Sequence, residues 1–300
     1  MRISVFGAGA LGSLMGGLLS TKHEVTLIGR KAHVATINQK GLEISGIVEE
    51  MVHPAATTDV NGLESQDLVL ITVKAYDTEE AVTSVAPIVD MDTIVVSLQN
   101  GLDNVRMISR AYGSRGVGGV TSCGATFLGP GRIRFAGRGE TIFGSTAGRR
   151  DLAERARDAF NECGIESTVT DDIMAEVWMK IIVNASINPI TALVRSENAC
   201  IEDDPILREL AERVCDEAVA VARASGVRLP RCDPLGKVMR VVSATRNNRS
   251  SMLQDVEAGR RTEVDEITGA IVKEAKRHGI PAQTNETLWG LVRCLQTNRQ

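Results

Sequence analysis

The stretch Arg2-Ile3-Ser4-Val5-Phe6-Gly7-Ala8-Gly9-Ala10-Leu11-Gly12 is followed, after a helix-length gap, by Glu24-Val25-Thr26-Leu27-Ile28-Gly29-Arg30. Ile3, Val5 and Phe6 read as a buried strand. Gly7, Gly9 and Gly12 form a Gly-x-Gly-x-x-Gly turn directly after it, and Ala10 to Ser20 is small and apolar, as a helix packed on a sheet requires. Strand, turn and helix in this order, within a unit of about thirty residues, are the setting in which such glycines hold a dinucleotide. Gly7 permits the tight turn, Gly9 lets the backbone approach a pyrophosphate, and Gly12 lets helix and strand pack closely. The helix start then offers free N–H groups and a positive dipole end to phosphate. The alternative is a glycine-rich turn used only for packing.

The second strand ends in Gly29-Arg30, where an NAD-dependent fold carries an acid for the ribose 2′-hydroxyl. Arg30 has two readings. A guanidinium can fork onto a 2′-phosphate, which argues for NADP(H) over NAD(H); the lesser alternative is a solvated arginine at a helix end.

Three hundred residues allow two domains of ordinary size, and 43% hydrophobic content suffices for their cores. A net charge of −4 leaves no basic field for nucleic acid, and 3% aromatics leaves few base-stacking platforms. The six cysteines show no Cys-x-x-Cys spacing, which predicts reduced thiols rather than a disulfide frame or a metal site. The chain opens on a strand rather than a signal peptide, and no apolar run reads as membrane-spanning. The expectation is a soluble cytoplasmic protein, a monomer or homodimer, with neither membrane nor nucleic-acid partner.

Beyond the first βαβ unit, Gly41 to Val52 reads as a short strand pair and Asp67 to Val73 as a buried strand ending at Lys74. Asp77, with Glu80 three residues on, reads as a capping box. Thr93 to Leu98 and Val117 to Cys123 are further strands, the former ending at Gln99-Asn100-Gly101. This alternation predicts a parallel, doubly wound sheet with ligands off the carboxyl ends of its strands, which puts Lys74 and Asn100 at the crevice. Gly129-Pro130-Gly131 predicts a hairpin within Phe127 to Gly144, Asp151 to Cys163 a helix, and Ile165 to Thr170 a last strand. From Asp171 onward the pattern is helical. The predicted domains are therefore 1–170 and 171–300.

The second domain opens on Trp178-Met179-Lys180-Ile181-Ile182-Val183-Asn184-Ala185-Ser186-Ile187-Asn188-Pro189-Ile190-Thr191. Lys180, Asn184 and Asn188 recur every fourth residue, so they share one face of a helix that is otherwise apolar and buried. Pro189 is expected to kink it near Ala185. The polar row is either a structural cluster or an active-site row. A positioned ammonium suits ketone reduction, because it polarises the carbonyl and protonates the alkoxide left by hydride. Further on, Ser250-Ser251-Met252-Leu253-Gln254-Asp255 precedes a bend at Gly259-Arg260-Arg261 and then Thr262-Glu263. On these residues alone Ser251 can be a helix cap and Glu263 a solvated acid.

Taken together, these motifs resemble the ketopantoate reductase (2-dehydropantoate 2-reductase) family of 6-phosphogluconate-dehydrogenase-like enzymes over nearly the whole chain. The resemblance rests on Gly7 to Gly12, Val73-Lys74-Ala75, Gln99-Asn100-Gly101, the run from Trp178 to Ala192, and Ser251 to Asp255 with Thr262-Glu263. It implies an α/β architecture: an N-terminal Rossmann-type doubly wound sheet that binds NADP(H), and an all-helical C-terminal substrate domain. The implied activity is NADPH-dependent reduction of 2-dehydropantoate to (R)-pantoate. Lys180 is implied as general acid, and Glu263 as a catalytic residue near the nicotinamide ribose. Gly7, Ala8, Gly9, Ala10, Leu11, Gly12, Arg30, Lys74, Asn100, Ala125 and Glu263 are the implied cofactor contacts. Asn100, Lys180, Asn184, Asn188, Asn198 and Ser251 are the implied substrate contacts, and no metal is implied. The alternatives are a reductase of another branched 2-oxo acid and a non-catalytic NADPH sensor. Retention of Lys180, Asn184, Asn188, Ser251 and Glu263 counts against the sensor, because binding NADPH needs none of them.

Overall fold

Strands that are apolar on both faces alternate with helices through the first part of the chain, and this pattern builds a sheet covered on both sides. A computed structural model describes residues 1–297; residues 298–300, which end the predicted second domain, lie outside the described residues. The chain divides into two compact units. The first is Met1–Gln99 with Asp103–Ile173; the second is Asn100–Leu102 with the chain from Met174 onward. The division thus falls after Ile173, and the Asn100–Leu102 segment belongs with the second unit although the sequence reading kept it in the first.

The first unit contains, in order, β1 (Arg2–Phe6), α1 (Ala10–Leu19), β2 (Glu24–Ile28), α2 (Lys31–Lys40), β3 (Leu42–Gly46), β4 (Glu50–Val52), β5 (Ala55–Thr57), β6 (Leu68–Ile71), α3 (Thr78–Ser84), β7 (Ile94–Ser97), α4 (Asn104–Tyr112), β8 (Gly116–Thr121), β9 (Gly124–Gly129), β10 (Arg132–Gly137), β11 (Thr141–Ser145), α5 (Arg150–Glu162) and β12 (Ser167–Val169). The main sheet runs β12-β11-β8-β7-β6-β1-β2-β5. From β5 to β8 all neighbours are parallel, and their order is the one Rossmann folds use. The fully parallel expectation fails at the far edge, where β11 pairs antiparallel with β8 and β12 parallel with β11. The chain between β8 and β11 makes a hairpin instead of a helical crossover, so it re-enters the sheet in the opposite direction.

That hairpin, β9–β10, joins β3 and β4 in a second sheet of order β4-β3-β10-β9. Helix α1 lies between the two sheets. A side chain at Gly16 would collide with Leu27 of the main sheet, and one at Gly17 would stand 2.9 Å from Ile44 of the second. The small residues of α1 are what let both sheets close on it, and Leu14, Leu27, Leu42, Ile44 and Ile133 share one core. The capping box at Asp77 and Glu80 does not form. A short 3₁₀ turn, Ala75–Asp77, runs straight into α3, which leaves Asp77 at φ −100°, ψ 6° and its side chain without a capping bond.

The second unit is helical: α6 (Ile173–Val194), α7 (Cys200–Asp203), α8 (Pro205–Ala224), α9 (Pro234–Ala244), α10 (Ser251–Glu257), α11 (Thr268–His278) and α12 (Gln283–Thr297). Pro189 sits inside α6, which continues through it as one 22-residue helix. Contrary to the sequence reading, α6 is by length and composition long and apolar enough to cross a membrane. It is the one such helix among the described residues, and 78% of its apolar window is buried inside the protein, as in the core helix of a folded domain.

Glu217 of α8 fastens the start of α12. Its carboxylate accepts the backbone N–H groups of Thr284 and Asn285 (both 2.9 Å) and the Asn285 side-chain amide (2.8 Å). Burial alone would raise this carboxyl, but the bonds from Asn285 and Thr284 outweigh it and hold the group below the usual carboxylate range. A carboxyl held down in the folded state stabilises fully above its unfolded pKa, and the contribution is lost as pH falls through the folded value. Glu217→Gln should therefore lower stability at neutral pH by about 1–3 kcal/mol and make the acid loss shallower. Urea melts at neutral and acid pH measure both effects; an unchanged neutral midpoint would rule out this role for Glu217.

Candidate functional site

The residues that follow β1, β2 and β6 leave the main sheet at one edge, because Phe6 lies in register with Ile28 on one side and Ile71 on the other. The strand order reverses between β1 and β6, and this switch point is where doubly wound sheets bind ligands. Gly7 there has φ +110°, and a Cβ on it would stand 2.5 Å from the Val73 nitrogen. A Cβ on Gly12 would collide with the Gly7 carbonyl and the Thr72 hydroxyl. Thr72 Oγ1 donates to the Gly7 carbonyl (2.9 Å), which pins the glycine turn to the end of β6.

Gly9 is exposed, and a Cβ on it would meet no atom closer than 3.9 Å. The first bond of α1 is Ser13 N to Gly9 O (3.0 Å), so the N–H groups of Ala10, Leu11 and Gly12 have no acceptor within the helix. The start of α1 has no side-chain cap and no acid in its first turn. This donor set fits the pyrophosphate of a dinucleotide.

The end of β2 separates the two readings of Arg30. A side chain at Gly29 would stand 2.8 Å from the Ala8 Cβ, so the Ala8 methyl crowds any side chain there, a ribose-binding acid included. Arg30 itself is exposed and occupies the N-cap of α2, beside Lys31, with no acid in the first turn. Two cations at the positive end of a helix repel its dipole, and an anion between them removes that cost. Lys74 leads into the turn before α3. The Gln99 side chain donates from Nε2 to the Val73 carbonyl (3.0 Å) and to Thr78 Oγ1 (2.7 Å), and so braces Lys74 from both sides. Ala125 lies on β9, opposite Phe135. Thr72 and Gln99 went unassigned in the sequence, since each acts through a partner distant in the chain.

In the second unit, Lys180 and Asn184 are half-buried on α6, and Asn188 is buried. Glu263 is not a solvated acid. It is 5% exposed, lies in the turn before α11, and accepts a bond from Asn100 Nδ2 (3.1 Å). Helix α12 holds this turn in place: Trp289 Nε1 donates to Asp265 (2.7 Å), and Gln296 exchanges bonds with the Thr262 backbone and hydroxyl (both 3.0 Å). No local sequence signal marks Trp289 or Gln296 for this task. Burial raises the neighbouring Glu266 carboxyl above the usual carboxylate range, against the opposing charge of Arg261 (3.3 Å).

The cap of α10 is Ser250, not Ser251. Ser250 Oγ accepts from Leu253 N (3.1 Å) and also meets the Thr191 hydroxyl of α6 (2.8 Å). The adjacent Ser251 is exposed and not engaged in capping. Asn198 is buried, and its amide nitrogen donates to Thr245 Oγ1 (2.8 Å). Thr245 gives its own proton to the Val241 carbonyl (2.6 Å), so its oxygen can only accept, and this fixes the orientation of the Asn198 amide. The Asn198 side-chain oxygen is left buried without a hydrogen-bond partner.

The family described as "Ketopantoate reductase PanE/ApbA" matches residues 3–148, and its C-terminal counterpart, "Ketopantoate reductase PanE/ApbA C terminal", matches residues 172–296. The chain belongs to this family of oxidoreductases. It is 40% identical to the 2-dehydropantoate 2-reductase of Pyrococcus horikoshii over 99% of this chain and 98% of that protein. Among solved structures it resembles a PanE/ApbA family ketopantoate reductase from Ralstonia eutropha JMP134, with a TM-score of 0.92 and 31% identity over all of both chains. A D-mandelate dehydrogenase complexed with NADH and anilino(oxo)acetate shares the fold at a TM-score of 0.92 and 24% identity, over 100% of this chain and 99% of that one.

The two adjacent serines should separate cleanly in a stability measurement. Ser250→Ala removes a helix cap and the bond to Thr191, and should cost about 1–3 kcal/mol. Ser251→Ala should leave the denaturation midpoint unchanged. Equal losses in the two variants would contradict the assignment of the cap.

Proposed function

We propose that this chain reduces 2-dehydropantoate to (R)-pantoate with NADPH in the cytoplasm, a step towards pantothenate and coenzyme A. In this reading residues 1–170 are the NADP-binding domain and residues 171–300 the substrate and catalytic domain. When bound, NADP(H) supplies the hydride. The backbone from Gly7 to Gly12 receives its pyrophosphate, Arg30 and Lys74 take the 2′-phosphate, and Ala125 and Asn100 border the nicotinamide. Lys180 polarises the carbonyl of the 2-oxo acid and gives its ammonium proton to the new hydroxyl. Asn184, Asn188, Asn198 and Ser251 hold the polar groups of the substrate without adding charge. A carboxylate such as Glu263 or the substrate's own favours the charged, proton-donating form of the lysine.

The observation that carries this reading is the buried Glu263, bonded by the half-buried Asn100, in the unit that also bears the Lys180, Asn184 and Asn188 row. Burying a carboxylate is unfavourable, and a module that only binds a dinucleotide gains nothing from doing so here. A second reading, reduction of another 2-oxo acid, is supported by the fold shared with D-mandelate dehydrogenase.

A panel of 2-oxo acids, followed by loss of NADPH absorbance, tests both readings. The highest kcat/KM should fall to 2-dehydropantoate; a higher value for a different acid would favour the second reading, and no turnover with any acid would refute both. In Lys180→Ala, kcat should fall about 10²–10⁴-fold while NADPH affinity stays near that of the parent. The parent's reductive rate should fall with rising pH as the ammonium is lost. If kcat survives while cofactor binding collapses, another group donates the proton.

A further inference from the structure

His33 is 3% exposed, lies in the first turn of α2, and uses both ring nitrogens. Nδ1 lies 2.9 Å from the backbone nitrogen of Gly131, in the β9–β10 turn. A backbone N–H can only donate, so Nδ1 is the unprotonated nitrogen. Nε2 therefore carries the proton and donates it to Ser13 Oγ of α1, 2.9 Å away. The ring also packs against Phe127 of β9, with centroids 5.0 Å apart.

One side chain thus joins α2, α1 and the β9–β10 turn, and the two helices begin just after β2 and β1. Ser13 directly follows Gly12 at the start of α1. The backbone nitrogens of His33 and Val34 bond the carbonyl of Arg30 (both 3.0 Å), so the ring and the arginine belong to the same helical turn. The hairpin that offers Gly131 also carries Ala125.

We propose that neutral His33 is a positioning residue for NADP(H), one that locks α2 against α1 and the hairpin so that Arg30 is held for the 2′-phosphate. This rests on the reading of Arg30 as a 2′-phosphate ligand. Protonation of Nδ1 turns an acceptor towards the Gly131 N–H into a second donor, and the lock opens. The charged groups of the packed elements are few. Between Ala10 and Leu19, α1 has none; α2 brings Arg30, Lys31 and Lys40; β10 brings Arg132, which pairs with Glu43 of β3 at 3.1 Å, and Arg134. Of the other histidines of the first unit, His53 is exposed and lies against Gly41, and His23, beyond the end of α1, meets the Ala159 carbonyl. Burial lowers the His33 pKa, so the lock should hold at neutral pH and open only as pH falls below the usual histidine range.

The test measures NADPH and NADH dissociation constants across pH for the whole protein and for His33→Phe, Ser13→Ala, Arg30→Ala and the double variant of His33→Phe with Arg30→Ala. His33→Phe keeps a ring but loses both bonds; Ser13→Ala loses only one and keeps a small residue in α1, which guards against a variant that does not fold. Each should weaken NADPH binding about 3–10-fold, as one or two hydrogen bonds would, and leave NADH binding unchanged. Adding His33→Phe to Arg30→Ala should cost nothing further. The 2′-phosphate itself gains a proton near pH 6; the slope that survives in His33→Phe measures that effect, and the parent should show a steeper loss. Equal weakening of both cofactors would reduce His33 to a structural residue and overturn the proposal, as would no change. If Arg30→Ala alone leaves the NADPH-to-NADH ratio untouched, the reading of Arg30 has failed, and the proposal falls with it.

Discussion

A carboxylate that is 5% exposed and hydrogen-bonded to a neutral amide is the constraint on which the second unit depends. Taking Glu263 out of water is unfavourable, and the bond from Asn100 offsets part of the penalty. The surrounding structure makes the burial persist. Trp289 and Gln296 of α12 hold the turn on either side of Glu263, and Glu217 of α8 fastens the start of that same helix. Three segments far apart in the chain thus cooperate to hold one acid beside the Asn100–Leu102 segment. Such groups concentrate at functional sites, where a fixed charge is worth its cost in stability.

The first unit rests on a steric constraint instead. Gly7, Gly12 and Gly29 each lie so close to neighbouring backbone or side chains that any substituent would force a shift. The contacts at Gly7 and Gly12 draw the start of α1 onto the end of β6, where three N–H groups have no acceptor within the helix. The contact at Gly29 crowds any side chain where a ribose 2′-hydroxyl would be read, and Arg30 and Lys31 follow at the positive end of α2. The same packing that closes the core therefore gathers backbone donors and cations at one edge of the sheet.

Much of this was legible in the residues. β6 is an apolar run throughout and β7 is one up to its final Ser97, the pattern of strands buried on both faces. The row on α6 follows from helical spacing alone. Other features were not legible, for identifiable reasons. Ala55-Ala56-Thr57 has no β-branched run and becomes a strand only because β2 offers it an edge. The direction of β11 is set by the hairpin before it, not by its own side chains. Ser250 and Ser251 are the same residue type, and only the extended backbone of Ser250 (φ −56°, ψ 153°) makes it the cap. The missing acid at position 29 was visible, but the nearness of Ala8 that crowds one was not. Thr72, Gln99, Trp289 and Gln296 act through long-range partners, which no local pattern records.

In the proposed reaction NADPH passes its hydride directly to the 2-carbon of 2-dehydropantoate. It is tested most directly with NADPH carrying deuterium at both C4 positions of the nicotinamide, followed by mass and chiral analysis of the product. Direct transfer yields (R)-pantoate with one deuterium on C2, in an amount equal to the NADPH consumed. NADPH loss without labelled pantoate, or product with deuterium exchanged for solvent hydrogen at C2, would contradict it.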